Sequence, residues 1–200
     1  RYADLVQEGF DVAIRFGELE DSQLIARHVG SSSRVCVASP SYLSKHGIPR
    51  VPNDLKNHNC ITYTHLFSSV WPLRDAKGLL STKVSGNFRA NSGYAIRDAI
   101  LNGVGVALVP SLLVKEQIES GIVVPILNDY APDPIKISAV YPSNRLISRK
   151  VKLFVDFMKE EFLKIPLLHP LTPLRPVPRL RSKPAVVVEA GGPRTDHSVV

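Results

Sequence analysis

Two hundred residues, 44% hydrophobic and 22% charged, describe a globular chain that buries about two-thirds of its unfolded surface and needs no metal or disulfide staple. No run of about 18 apolar residues could make a membrane-spanning helix. The opening Arg1–Glu8 stretch also lacks the basic-then-apolar pattern of a secretion signal, so a cytoplasmic protein is expected. The net charge of +7 does not indicate nucleic acid, because +3 of it lies beyond Ile165 and the remaining basic residues alternate with acidic ones.

In chain order, short apolar strands alternate with amphipathic helices, the pattern of an α/β fold. The chain starts on Arg1 rather than Met, which sets the expectation that it begins partway through a longer gene product. Tyr2 to Gly9 reads as the end of a helix closed by glycine. Asp11–Phe16, Leu24–Val29 and Arg34–Ser39 read as strands. Pro40 to His46 predicts a short helix, with Ser39 as its cap and proline at the first position, where a missing N–H costs nothing. Asn59 to Thr64 is a strand, and Trp71 to Ala90 predicts antiparallel pairing around an Ala76-Lys77-Gly78 turn, with Val84 and Phe88 alternating in its second half. Trp71 is expected in the core. Asn91-Ser92 caps a helix whose Ile96, Ala99, Ile100 and Gly103 share a face, and Gly103 stops it. Val104–Val109 is apolar at almost every position, as a strand buried on both sides must be. Pro110–Ile118 predicts a helix, Ile122–Leu127 and Ile135–Tyr141 strands, and Ser148 caps a last helix carrying Val151, Phe154, Val155, Met158 and Phe162.

Composition changes at Ile165. Seven prolines fall in residues 166–200, each removing a backbone donor and fixing φ, so neither helix nor central strand persists there. A Pro-rich disordered tail is expected.

No catalytic constellation is present: there is no G-x-S-x-G, no H-E-x-x-H, no phosphate-binding loop and no G-x-G-x-x-G after a strand. An enzyme is not expected, and neither is a cofactor. Cys36 and Cys60 belong to no C-x-x-C or Cys/His pattern and read as buried thiols in a reducing compartment. His58-Asn59-Cys60 followed by His65 is the nearest approach to a metal cluster, and its spacing fits no common zinc motif.

Several segments in this order resemble one family. Glu8-Gly9-Phe10-Asp11-Val12-Ala13-Ile14-Arg15-Phe16-Gly17, then Asp21–Arg27, then Val37-Ala38-Ser39-Pro40-Ser41-Tyr42-Leu43, resemble LysR-type transcriptional regulators. So do Pro52, Asp54-Leu55, His58 and Cys60-Ile61. The densest match runs from Asn91-Ser92-Gly93 to Gly103-Val104-Gly105-Val106-Ala107-Leu108-Val109-Pro110, and Tyr141-Pro142 with Ser148–Phe157 resembles the closing helix. The resemblance covers residues 1–163. It implies a type II periplasmic-binding-protein-like fold of two α/β subdomains joined by two crossover strands, with a ligand cleft between them. On that basis residues 1–165 form the effector-binding domain, with 1–39 and 141–165 in subdomain one and 40–140 in subdomain two. The family's winged helix-turn-helix, its linker helix and the opening strand and most of the first helix of subdomain one have no counterpart here. The resemblance therefore implies an incomplete first subdomain and DNA reading only through a segment outside this chain.

The implied site is the cleft. Asn91 and Ser92 start a helix whose free first-turn N–H groups and positive dipole end suit a carboxylate effector, with Gly93 beside them. The alternative for Ser92 is capping alone. Thr62, Tyr63, Thr64 and His65 end a strand, where α/β ligands sit, and Thr64 and His65 would form a polar rim. Phe16 and Gly17 end another strand, and Pro110 closes the densest match. Three functions remain open: an effector-sensing domain that acts as a homo-oligomer in the full-length regulator, an extracytoplasmic solute-binding protein of similar fold, or a small cytosolic enzyme. The absent secretion signal weighs against the second, and the absent acid/base or nucleophile motif against the third.

Limited trypsin digestion is expected to cut after Arg175, Arg179 and Arg181 and leave a resistant fragment ending near Lys164. Mass spectrometry showing these three sites protected would overturn the reading of the tail.

Overall fold

The computed structural model describes residues 5, 9–17, 24–64, 69–142 and 148–164. The Pro-rich stretch 166–200, His65 and most of the Tyr2–Gly9 segment lie outside them, although Leu5 is buried and Gly9 has the positive φ of +73° expected where a helix stops.

The strands and helices in order are β1 (Ala13–Phe16), β2 (Leu24–Ser32), β3 (Arg34–Ala38), α1 (Pro40–His46), β4 (Cys60–Tyr63), β5 (Val70–Asp75), β6 (Gly78–Lys83), β7 (Arg89–Ala90), α2 (Gly93–Leu101), β8 (Val106–Pro110), α3 (Lys115–Glu119), β9 (Val124–Ile126), β10 (Ile135–Pro142) and α4 (Arg149–Leu163). They build two sheets and a hairpin. The first sheet is β1–β10–β2, antiparallel throughout; the second is β7–β4–β8–β3–β9; β5 and β6 pair with each other.

Period-two alternation organises the second sheet. Cys36 and Ala38 of β3, Cys60 of β4, and Val106 and Leu108 of β8 point to one side, packing with Tyr42, Leu55, Trp71 and Leu73. Val35, Val37, Ile61, Ala107 and Val109 point to the other, against Ile96 and Ile100 of α2. With both faces covered, β8 has to be apolar at every position, and Val106 to Val109 are all buried. The first sheet packs Ile137, Ala139 and Tyr141 against Val151, Val155 and Phe162 of α4. Phe154 lies off that buried stripe and is 39% exposed. A Cβ at Gly30 would come within 2.9 Å of the Phe162 Cβ, so the strand lies close under the helix.

The sheets divide the chain differently from the expected boundaries at 39/40 and 140/141. Arg34–Ala38 belongs to the second sheet, and Ile135–Val140 to the first. A buried strand's own alternation does not say which sheet accepts it. The first crossing falls at Ser33, between β2 and β3, where Ser32 and Ser33 are buried and the Ser33 carbonyl accepts from Ser111 N–H at 2.8 Å. The second lies between β9 and β10. Arg34 Nε donates to the Asp133 carbonyl at 2.7 Å, tying one crossing to the other.

Two further expectations are corrected. Lys83 to Arg89 does not continue the antiparallel hairpin: only Arg89–Ala90 forms a strand, and it runs parallel to β4. The Asn59 amide interrupts this stretch, with its oxygen accepting from Asn87 N–H at 2.9 Å and its nitrogen donating to Asn87 Oδ1 at 2.8 Å. The expected helix from Pro110 to Ile118 is a 3-10 turn at Ser111–Val114 followed by α3.

Close approach explains Gly105, where a Cβ would lie 2.1 Å from the Asn59 carbonyl oxygen, a distance no side chain tolerates. Gly103 stops α2 with φ +71°, a conformation only glycine adopts readily.

The Tyr42 hydroxyl accepts from Asn59 N–H at 2.9 Å and lies 3.2 Å from His58 Nδ1, to which it donates when that nitrogen is unprotonated. Burial depresses the His58 pKa below the ordinary 6.5, nearby His46 depresses it further, and Asp54 opposes them. The unfolded chain therefore takes up this proton at a higher pH than the folded one. The contribution of neutral His58 is fully present above about pH 6.5 and is lost as pH falls from that unfolded value through the lower folded one. Urea midpoints are expected to drop between about pH 7.5 and pH 5 in the natural chain, and the drop should shrink in His58→Gln. An identical drop in both proteins would remove His58 as its source.

Candidate functional site

Where β1 of the first sheet approaches α2 and the Ser111–Glu119 stretch of the second, the chain leaves a cavity of about 470 Å³. That volume lies within the range of small-molecule sites. Phe16, at the C-terminal end of β1, forms the wall from the first sheet. The second sheet supplies Tyr63 from the end of β4, Gly93, Tyr94 and Arg97 from α2, Pro110 from the end of β8, and Leu112, Leu113 and Lys115–Gln117 from the turn and helix that follow. The walls are mostly carbon, with a few polar groups converging from α2 and α3.

Local sequence explains this placement. Ile96, Ala99 and Ile100 anchor α2 to the sheet. Tyr94 and Arg97, three residues apart, then share a side that the core does not cover. A Cβ at Gly93 would lie 3.3 Å from the Leu113 side-chain carbons, so a larger residue there would oblige Leu113 to give by a few tenths of an ångström: α2 packs tightly on the Ser111–Val114 turn.

Of the eight candidate residues, Phe16, Gly93 and Pro110 line the cavity. His65 lies outside the described residues. The other four do not line it. Gly17 follows Phe16 with φ +96° and donates its N–H to the Lys136 carbonyl at 2.9 Å, closing β1 against β10. Thr64 serves the sheet: its N–H and its hydroxyl both donate to the Ala90 carbonyl, at 2.9 and 3.1 Å. Asn91 is exposed. Ser92 is the α2 N-cap, with its oxygen accepting from Ala95 N–H at 3.5 Å, a long bond.

Sequence reasoning did not single out Tyr94, Arg97, Leu112, Leu113 or Lys115. One signal was available: Tyr94 is a large aromatic off the apolar stripe of α2, and it is 68% exposed. Arg97 stacks over its ring, 5.1 Å from guanidinium carbon to centroid, and meets Asp98 at 3.5 Å. Lys115 and Glu119 form a loose pair at 4.0 Å, one helical turn apart.

The cysteines have no comparable chemistry. Burial pushes the Cys60 thiol up to about 12 and raises Cys36 further still, so neither presents a thiolate. Trp71 is fully buried, as expected of a core residue. Among the described residues no group of three His, Cys, Asp or Glu side chains is gathered for a metal, and no helix is long and apolar enough to cross a membrane.

Comparison with known proteins gives a consistent picture. The family described as the LysR substrate binding domain matches residues 1–163. The transcriptional regulator CrgA of Neisseria meningitidis is 37% identical over 162 residues, covering 80% of this chain and 54% of that protein. DmlR of Escherichia coli, also named a transcriptional regulator, is 36% identical over 165 residues, covering 81% and 53%. The solved regulatory domain of CrgA superposes with a TM-score of 0.71 at 36% identity, covering 81% of this chain and 80% of that one. The chain spans about half the length of the curated relatives it matches.

The Ser92 position separates capping from ligand contact. Ser92→Ala is expected to cost about 0.5–1 kcal/mol of stability, the low end for a cap because the bond is long. Ligand affinity at the cavity should stay within twofold. Calorimetric titration of a cavity ligand into Ser92→Ala showing a tenfold loss would place Ser92 in the site.

Proposed function

This chain belongs to the LysR substrate-binding domain family, with the type II periplasmic-binding-protein-like fold of its relatives, and on that premise we propose that the cavity behind Phe16 is where it senses a small-molecule effector. The chain is the effector-sensing domain of a transcriptional regulator of this family. The observation that carries the site is its construction: Phe16 comes from one sheet, and Gly93, Tyr94 and Arg97 come from the other. A molecule held there touches both subdomains, so its binding energy favours one relative placement of the two. That is what a sensor needs and what a purely structural void does not provide.

In this reading the chain works in a cytoplasmic homo-oligomer and passes its signal to a DNA-reading helix-turn-helix, the element for which CrgA and DmlR are designated HTH-type regulators. The solute-binding reading loses support because the matched relatives are regulators, and the same relatives speak for sensing rather than catalysis.

The site is testable without knowing the effector. Fluorimetric screening of small metabolites against the whole chain is expected to find a compound that raises its melting temperature. On titrating that compound, the amide resonances of Phe16, Gly93 and Tyr94 should move together with one dissociation constant. A stabilising compound that moves resonances elsewhere and leaves these three still would displace the site from this cavity.

A further inference from the structure

We propose that the free edge of β6 is a docking site for an acidic segment of a partner protein, which adds to it as an extended strand. β6 pairs with β5 and, among the described residues, with no other strand. The register shows which of its main-chain groups are unspent. Opposed residues in an antiparallel pair alternate between those that exchange two main-chain bonds and those whose N–H and C=O groups point outward. Val84 N–H donates to the Ser69 carbonyl at 2.9 Å, and Pro72, opposite Ser81, has no N–H to exchange. Trp71–Thr82 and Leu73–Leu80 therefore carry the ladder, and the main-chain groups of Leu79, Ser81 and Lys83 face away from β5. Among the described residues none of these groups has a main-chain partner elsewhere. Leu79 is 64% exposed, and Ser81 and Lys83 are exposed as well.

A groove lies beside this edge. It encloses about 530 Å³ between Leu80–Lys83 and the 3-10 turn Pro52–Asn57, with Tyr130 as a further wall. It shares no wall residue with the cavity behind Phe16. A strand laid there gains main-chain donors and acceptors along one side, and Pro52, Leu80 and Tyr130 give its side chains apolar wall.

Charge selects the occupant. Lys56 and Lys83 both line the groove, and neither has an ion-pair partner among the described residues. The neighbouring carboxylates already hold main-chain donors. Asp75 accepts from Lys77 and Gly78 N–H at 2.7 and 3.1 Å, and Asp54 accepts from Arg50 and Val51 N–H at 2.8 and 3.1 Å. Lysine on an edge strand deters a second copy of the same edge, because each copy would bring Lys56 and Lys83 to one shared groove. A glutamate or aspartate on an incoming strand meets the same ammonium groups favourably.

The test uses the whole chain and three acetylated, amidated peptides followed by amide NMR. One is Thr-Val-Glu-Val-Thr, the second has lysine for the glutamate, and the third is the first N-methylated at two adjacent central residues, which blocks both of its edges. The glutamate peptide should move the amide resonances of Leu79, Ser81 and Lys83, slow their exchange with solvent, and leave Phe16 and Gly93 still. The lysine peptide should bind at least fivefold more weakly, and the methylated peptide should move nothing. Ser81→Pro removes a donor that the β5 ladder does not use and should weaken the glutamate peptide at least tenfold. Lys83→Glu should invert the preference between the glutamate and lysine peptides. If Ser81→Pro melts early, Lys83→Glu, which alters an exposed side chain alone, carries the comparison. A glutamate peptide that leaves the β6 amides unmoved up to its solubility limit overturns the docking site. Equal binding of the methylated peptide overturns strand addition, and equal binding of the lysine peptide overturns the acidic partner. Movement of the same amides with protein concentration alone, with a dimer in sedimentation, makes a second copy the occupant and also overturns the proposal.

Discussion

The second sheet depends on one residue, Asn59, through both its side chain and its backbone. Its amide nitrogen donates to the Val104 carbonyl at 2.7 Å and to Asn87, its amide oxygen accepts from Asn87 N–H, its own N–H donates to the Tyr42 hydroxyl, and its carbonyl accepts from Val106 N–H at 2.9 Å. Three segments distant in sequence are fixed to this one residue at the start of β4: the first turn of α1, the loop before β7 and the loop from α2 into β8. Each of its bonds contributes on the order of 1 kcal/mol net. The neighbouring chain is shaped to permit this approach, since Gly86 and Gly105 would each place a Cβ 2.1 Å from a backbone oxygen of Cys60 or Asn59. By holding β4 and β8 in parallel register, this node sets where Tyr63 and Pro110 end, and those ends are cavity wall.

Much of the fold was legible because each element carries its own physical signature. Ser39, Ser92 and Ser148 cap helices as their sequence contexts imply, each accepting a bond from the third residue after it. The apolar run at β8 could be nothing but a strand covered on both faces. What sequence did not disclose is partnership. The alternation of Arg34–Ala38 is the same whether it joins the first sheet or the second, so the crossing was placed six residues late. The small polar run Gly30-Ser31-Ser32-Ser33 was the available marker, because a strand changing sheets has no apolar face to keep. Likewise Lys83–Arg89 has strand-like alternation, but its backbone groups are taken elsewhere: the Asn87 N–H by Asn59 Oδ1, and the Ser85 and Phe88 carbonyls by the N–H groups of Cys60 and Thr62.

The candidate site was legible by position and not by chemistry. Phe16, Gly93 and Pro110 were reached because strand ends and helix starts are where this architecture opens. Ser92 and Thr64 were drawn in on the same ground and turn out to bond to neighbouring backbone, Ser92 to its own helix and Thr64 to the strand beside it. Arg97 and Lys115 were not reached because an arginine or lysine on an exposed helix side is ordinarily solvated surface. Only three-dimensional packing shows that α2 and α3 bring these two charges to one void.

The two crossings have a mechanical consequence. The sheets are joined through Ser33 and through the segment after Leu127, and Arg34 links the first to Asp133 in the second, whose carboxylate pairs with Arg74. Two adjacent, tethered connections leave the subdomains free to swing about the line between them while resisting twist and shear. Phe16, opposite Ile137 of β10, and Pro110, opposite Arg34 of β3, sit within a few residues of those connections. A wedge set this close to a pivot turns a small change in ligand size into a large change of angle.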